Sequence, residues 1–360
     1  MIASASPQDY ERTIRAVVES GEVDALIVIF IPPLTTPVAE VEAALRRAAA
    51  GLGRRVPILG VLMSDRRSGA GAAGVPVYTF PEDAVRALAQ AAAWMEWRSR
   101  PEEPAWRAPD SRVDEARAIV ASSLGRAGDG WLDPDAVAGL LRCYGIPLVE
   151  WRLASTPGEA ARAAAELAVP VALKAYAPGL LHKTEAGAVA LGLGDPGSVE
   201  TAARAMTARL EDEGRRPDGF LVQPMAAGGA EMIVGVVQDP LFGPVVACGA
   251  GGTAVELLKD VRVRLAPLTE SDADRMIHGL ASLPLLQGYR GSPPADIPAL
   301  RDVLLRVGAL AEDLPEVVEL DLNPVLAGPD GSRVLDARLR LEAREPPPPE
   351  GARPRSRRTG

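Results

Sequence analysis

Residues 170 to 193, PVALKAYAPGLLHKTEAGAVALGL, constrain this chain more than any other stretch. Val171-Ala172-Leu173 opens a short apolar run of the kind that forms a buried strand, and Val189 to Leu193 is a second. Between them stand Lys174, a break at Pro178-Gly179, the sequence Leu180-Leu181-His182-Lys183, and Gly187. Proline and glycine together end regular structure, because one lacks an N–H and the other frees the backbone. The pattern predicts strand, ordered loop, strand, with two lysines and a histidine in and around the loop. The chain has only 2 histidines, so one placed here carries information. Loops held on a rigid sheet are where chemistry commonly sits. An ordinary hairpin with solvated lysines accounts for the same residues, and this stretch by itself leaves both readings open.

The rest of the chain supplies a frame. Residues 1–97 alternate helical and apolar segments: Gln8 to Ser20 helical, Asp24 to Ile31 a continuous apolar strand, Pro37 to Ala50 helical, Val56 to Met63 and Val75 to Tyr78 strands, Glu82 to Trp97 helical. Such alternation predicts a doubly wound parallel sheet, and an unbroken apolar strand predicts burial on both faces. Gly69, Gly71 and Gly74 do not open a helix in the spacing of a dinucleotide loop. Residues 98–112 are proline-rich and charged and read as a linker, in which Trp106 either docks on a neighbour or stands exposed. Residues 113–342 form the second expected domain. Helices are expected from Val113, Asp133, Thr156, Ser198, Ser271 and Pro298. Asp133-Pro134 and Thr156-Pro157 each place an N-cap before a first-turn proline. Strands are expected at Leu148–Leu153, Phe220–Pro224, Glu231–Gln238, Val245–Cys248 and Val261–Leu265, with a last hairpin of Val317–Leu326 and Arg333–Leu341. Gly249-Ala250-Gly251-Gly252 reads as a glycine loop. Residues 343–360 have the composition of a disordered tail.

Composition excludes several function classes. A length of 360 residues suggests two or three domains, and 47% hydrophobic residues are enough for real cores. A net charge of −9 argues against a general nucleic-acid binder. Cys143 and Cys248 are too few and too far apart for a disulfide framework or a metal site, which fits a reducing cytoplasm. No apolar run reaches membrane-spanning length, and the first residues lack the pattern of a signal peptide.

Several residues of the second half acquire a job if a nucleoside triphosphate lies between two sheets. Lys174 on a cleft-facing strand would pair with phosphate oxygens. The glycine loop would let backbone N–H groups approach phosphate. Phe220 to Met225 would offer backbone and apolar contacts to an adenine edge, and Glu231 would accept from a ribose hydroxyl or position a cation. Asn323 and Asp336 would hold Mg²⁺, which takes few protein oxygens and lets phosphate supply others. A lone strand lysine or a glycine loop is more often structural; the order and wording together are specific.

The span from about Val113 to Leu341 resembles the ATP-grasp domain of the ADP-forming acyl-CoA synthetases (acetate–CoA ligase, ADP-forming), which are related to succinyl-CoA synthetase. The resemblance rests on VALKAYAPGLLHKTEAGAVALGL, on VQPMAAGGAEMIVGVVQDPLFGPVVACGAGGTAVELLKDVRVRLAPL, and on ELDLNPVL followed by VLDARLRL. Residues 1–97 resemble, more weakly, the small ligase domain that precedes ATP-grasp in fused members, through IPPLTTP and Val77 to Leu88. The implied fold is thus α/β, a small doubly wound parallel-sheet domain followed by a two-lobed α+β ATP-grasp domain. The implied chemistry is phosphorylation of a histidine by ATP, transfer to a carboxylate, and displacement by coenzyme A. Carried onto this sequence, the ATP-binding set is Lys174, Lys183, Gln223, Met225, Glu231, Gly251 and Gly252. Asn323 and Asp336 are the Mg²⁺ ligands, and Asp321 is the carboxylate that orients an imidazole. His182 is a candidate second phosphoryl carrier, weighed against a loop residue that bonds nucleotide or backbone; His278 reads as inert.

Two departures stand out. Gly187-Ala188-Val189 replaces the family's GGV, adding a methyl group, and Cys248 replaces an apolar residue. Fused members also carry a CoA-binding domain and a domain with the principal phosphohistidine, neither visible in these residues. The expectation is an incomplete ligase that works with a CoA-binding, phosphohistidine-bearing subunit and a small carboxylic acid. A regulatory nucleotide-binding module and a truncated fragment are the alternatives.

Overall fold

The computed structural model describes residues 5–32, 37–52, 56–63, 74–168, 170–177, 180, 183, 186–226, 228–252 and 260–344. His182, Gly69, Gly71 and the expected tail beyond residue 344 therefore lie outside the described residues. The chain divides into two compact units, Met1–Glu102 and Glu103–Gly360.

In the first unit, strands β1 (Leu26–Phe30), β2 (Ile58–Leu62) and β3 (Val77–Tyr78) run parallel in that order. Helix α1 (Pro7–Glu19) begins at a capping box between Ser6 and Asp9. With α2 (Val38–Leu52) it covers the face carrying Val28, Phe30, Ile58 and Leu62. Helix α3 (Pro81–Arg98) covers the other face through Ala84, against Leu59 and Val61. Helices on both faces make the sheet doubly wound. The expectation that the first strand is buried on both faces fails at Ile29, which is 46% exposed. Strand β1 is an edge strand, and the core beneath α3 is centred on β2.

The second unit holds two sheets. The smaller, in order β5-β8-β6-β7, is antiparallel and built from β5 (Arg152–Ala154), β6 (Val171–Tyr176), β7 (Val189–Leu193) and β8 (Gly219–Pro224). Helices α6 (Pro157–Leu167) and α7 (Pro196–Asp212) pack on one of its faces. Ala188 is buried in this core, so its methyl group points away from the open face. Gly187, at φ +62°, has the Arg209 side chain against it, the conformation and space that suit glycine.

The larger sheet follows the order β11-β10-β9-β12-β14-β4: β9 (Ala230–Asp239), β10 (Gly243–Ala250), β11 (Val261–Leu265), β12 (Val317–Gly328), β14 (Ala337–Leu341) and β4 (Gly130–Trp131), with β13 (Gly331–Val334) on the far end of β12. One face is covered by α4 (Val113–Ala127), α5 (Pro134–Cys143), α8 (Glu270–His278), the short α9 (Leu283–Leu286) and α10 (Ile297–Asp313). Alternation along β9 and β12 sends Met232, Val234, Val236, Leu320 and Leu322 into that core and turns Glu231, Glu319, Asp321 and Asn323 to the opposite face. Trp106 packs on this core, and its backbone N–H donates to Leu268 O at 2.8 Å. Among the described residues no helix is long and apolar enough to cross a membrane.

Two strand expectations need correction. Leu148 to Leu153 is not one strand: Leu148 makes a single bridge to Val334 of the larger sheet, and β5 starts at Arg152 in the smaller one. The intervening residues cross between sheets and cannot pair continuously with either. Gly249 and Ala250 belong to the β10 ladder, opposite Ile233 and Met232, so only Gly251 and Gly252 leave the strand. The final hairpin stands as expected, with β13 and β14 following one another along β12 in a single antiparallel register. Its second run splits at Leu335-Asp336, between β13 and β14, opposite an irregularity in β12 at Asn323-Pro324. There Asn323 N–H donates to Asp336 O and Leu335 N–H to Pro324 O.

Candidate active site

The break between β13 and β14 is where the two sheets meet. On β6, Val171, Leu173 and Ala175 enter the core under α6 and α7, so Ala172 and Lys174 turn to the other face. On β8, Phe220 and Val222 do the same, which places Gln223 on the side of Lys174. Both side chains are buried, and both reach one atom. Lys174 Nζ donates to Leu335 O at 2.7 Å, and Gln223 Nε2 donates to it at 3.2 Å. Burial of its ammonium holds Lys174 below the ordinary lysine range; the charge of Asp336 opposes that and the charge of Lys183 adds to it.

Asp336 is the next residue. Lys183 Nζ donates to both of its oxygens, at 2.8 and 2.9 Å. Successive groups of one dipeptide, the carbonyl of 335 and the carboxylate of 336, thus hold both lysines of the central stretch. Asn323 stands beside them, tied to Asp336 through the backbone. The donor set fits Mg²⁺. Among the described residues no group of three or more His, Cys, Asp or Glu could enclose a metal, and Mg²⁺ needs only one or two protein oxygens when phosphate supplies others. The ammonium of Lys183 marks the Asp336 carboxylate as a place where a cation sits.

Glu231 and the two glycines form a second group. Gly251 N–H donates to Glu231 O at 2.6 Å. A Cβ on Gly251 would lie 2.8 Å from that carbonyl, and one on Gly252, at φ +73°, would lie 3.0 Å from Glu231 Oε2. Close approach to the Glu231 carbonyl calls for glycine at Gly251, and the positive φ calls for it at Gly252. Met225 is separate: its N–H donates to Pro170 O, and its Sδ accepts from Gly192 N at 3.3 Å.

Asp321 does not join either group. It is paired across the ladder with Arg338 of β14, whose Nη2 donates to Asp321 Oδ2 at 2.6 Å. The Arg338 guanidinium carbon lies 5.7 Å from the Trp131 ring centroid. His278 is exposed at the end of α8, with Nδ1 2.8 Å from Asp274 O. Cys248 is buried, which pushes its thiol up to about 12 and leaves it without nucleophilic character.

The structure therefore gathers Lys174, Lys183, Gln223, Asn323 and Asp336 at one point, and Glu231, Gly251 and Gly252 at another. Sequence reasoning missed the Leu335 carbonyl, since any residue offers one, and it missed Trp131, which stands on a two-residue strand. Arg338 left a signal, two residues past Asp336 and directly opposite Asp321.

This arrangement was compared with known proteins. Residues 123–341 match the ATP-grasp domain. The β subunit of an ADP-forming acetate–CoA ligase I from Pyrococcus furiosus is 37% identical over 234 residues, which span 64% of this chain and 99% of that subunit. The ADP-forming acetate–CoA ligase I of Archaeoglobus fulgidus is 32% identical over 349 residues, 95% of this chain but 49% of that protein. The chain thus spans about half the length of that relative. Among solved structures, a chain of acetyl-coenzyme A synthetase 1 from Ca. Korarchaeum cryptofilum, in complex with coenzyme A and Ca-AMPCP, superposes with a TM-score of 0.60 at 37% identity, covering 63% of this chain and 100% of that one. With the match running through both sheets and through every described residue of the site, the chain belongs to the ATP-grasp family, on the branch of the ADP-forming acyl-CoA synthetases.

Proposed function

We propose that this chain supplies the nucleotide site and the first phosphoryl transfer of an ADP-forming acyl-CoA synthetase, which converts an acid, coenzyme A and ATP to acyl-CoA, ADP and phosphate through a phosphohistidine. The observation that carries this reading is the meeting of Lys174, Lys183 and Asp336 at Leu335-Asp336, where one sheet offers fixed cations and the other a carboxylate beside Asn323. Lys174 is positioned to exchange the Leu335 carbonyl for a phosphate oxygen, a stronger acceptor for a buried ammonium. Glu231, close to Gly251 and Gly252, is placed to accept from a ribose hydroxyl. Asn323 and Asp336 would hold Mg²⁺, whose chemistry there is to neutralise phosphate charge.

An imidazole nitrogen attacks the γ-phosphorus, the bond to the β-phosphate oxygen breaks, and ADP leaves. Asp321 accepts the N–H of the other ring nitrogen and stabilises the imidazolium that forms. The phosphoryl group then passes to the acid's carboxylate, and the thiol of coenzyme A displaces phosphate. The Pyrococcus furiosus relatives are named as β subunits. In line with that, we assign the CoA site and the principal phosphohistidine to a separate subunit, and to His182 the role of a second carrier on this chain.

Incubation of the purified chain with γ-labelled ATP and Mg²⁺, beside a His182→Ala variant, tests the reading. Acid-labile, base-stable label on the wild type alone is expected. Absence of both label and calorimetric ATP binding would overturn the assignment. Binding without label would keep the nucleotide site and place the carrier histidine on the partner.

A further inference from the structure

We infer that Arg338 is a positioning residue for phosphoryl transfer, acting through Asp321; this rests on the reading of Asp321 as the carboxylate that receives an imidazole N–H. Three observations support it. Asp321 and Arg338 are direct partners in the β12–β14 register, on the face turned away from the helices. Their side chains meet at 2.6 Å through one carboxylate oxygen, Oδ2, and one guanidinium nitrogen, Nη2. On its other side the guanidinium is 5.7 Å from the Trp131 ring centroid, within the range of a cation–π contact.

An exposed ion pair is commonly worth little, because two long side chains lose freedom and water screens them. This pair differs. Both side chains are about a quarter exposed, at 26% and 23%, and an aromatic ring fixes the arginine from behind. Strand β4 has two residues, Gly130 and Trp131, and it extends the sheet beyond β14 far enough to set that ring in place. With Oδ2 engaged, the carboxylate plane is fixed by the β-sheet register. Held in this orientation, the free oxygen of the carboxylate faces the imidazole N–H that it accepts, and its charge balances the imidazolium formed when the γ-phosphoryl leaves ADP. The arginine touches no reacting atom; its effect passes through Asp321.

The test uses free imidazole as phosphoryl acceptor with the full chain carrying His182→Ala, so that the candidate carrier on this chain does not compete. ADP release from Mg-ATP and phosphoimidazole by ³¹P NMR report transfer. Arg338→Gln should lower the rate at least tenfold with KM for ATP within twofold, and Arg338→Lys should recover most of the loss. The double variant Asp321→Asn/Arg338→Gln should be no slower than Asp321→Asn alone, because one residue acts through the other. Unchanged melting of each variant excludes unfolding as the cause, and Trp131→Leu should give a smaller loss in the same direction. Full activity of Arg338→Gln, losses that multiply in the double variant, or a KM that rises as the rate falls would each overturn the inference. Full activity of Asp321→Asn, or no phosphoimidazole from the parent with ATP bound, would instead remove the reading of Asp321 on which it rests.

Discussion

Lys174 is a charge kept where water does not reach it. Its side chain is buried, and among the described residues one carbonyl accepts from it. Taking an ammonium out of water costs more than one neutral hydrogen bond returns, so the site opposes folding until an anion arrives. Lys174→Met should therefore weaken ATP binding at least about tenfold while raising the melting temperature of the ligand-free chain by about 2–4 °C, the equivalent of about 1 kcal/mol. The pH dependence has a definite sign. Burial lowers the lysine's pKa in the folded state, so at alkaline pH the unfolded chain binds more protons than the folded one. The folded state gains stability from this group as pH rises through that window, and the advantage of Lys174→Met should shrink accordingly. Denaturant titrations of both proteins from neutral to alkaline pH check it; an advantage that grows with pH would contradict the account.

At the scale of elements, strand ends decide what the sheets present. Gly251 follows β10 and passes within 2.6 Å of the Glu231 carbonyl. Gly251→Ala puts a methyl group against that carbonyl and should cost about 1–3 kcal/mol in urea unfolding, with weaker ATP binding because Glu231 moves. Helix starts offer a milder control: Asp133→Ala removes an acceptor for Ala136 N–H and should cost about 1 kcal/mol with ATP affinity unchanged. Helices with an N-cap and first-turn proline, at Asp133 and Thr156, were legible because their signals are local. So were β6 and β8, whose apolar runs are short and bounded. The Leu335-Asp336 break was not legible. It is set by backbone bonds to Asn323 and Pro324, more than ten positions away, inside a run of residues suited to uninterrupted strand. Strand β4 was hidden for a similar reason: two residues carry no period. The candidate ATP-binding residues came from wording over the whole span; the pairing of Asp321 with Arg338 needed the strand register.

At the scale of the molecule, each compact unit has its own core, one around Phe30 and Leu45, the other spread over two sheets. Residues 103–360 expressed separately should melt cooperatively and bind ATP with a Kd within twofold of the full chain, by circular dichroism and calorimetry. A non-cooperative melt would show that the second unit depends on the first. Within that unit, the tie between the sheets runs through the carbonyl oxygen of residue 335, which Lys174 and Gln223 share. Every amino acid brings the same carbonyl. The acceptor is therefore beyond the reach of point mutation at position 335, and selection acts on the tie through its donors, Lys174 and Gln223, or by re-aiming the strands on either side. Comparing side chains at residue 335 across relatives would not reveal the most direct bond between the two halves of the site; replacing the amide that follows it with an ester, which weakens the acceptor without changing shape, would.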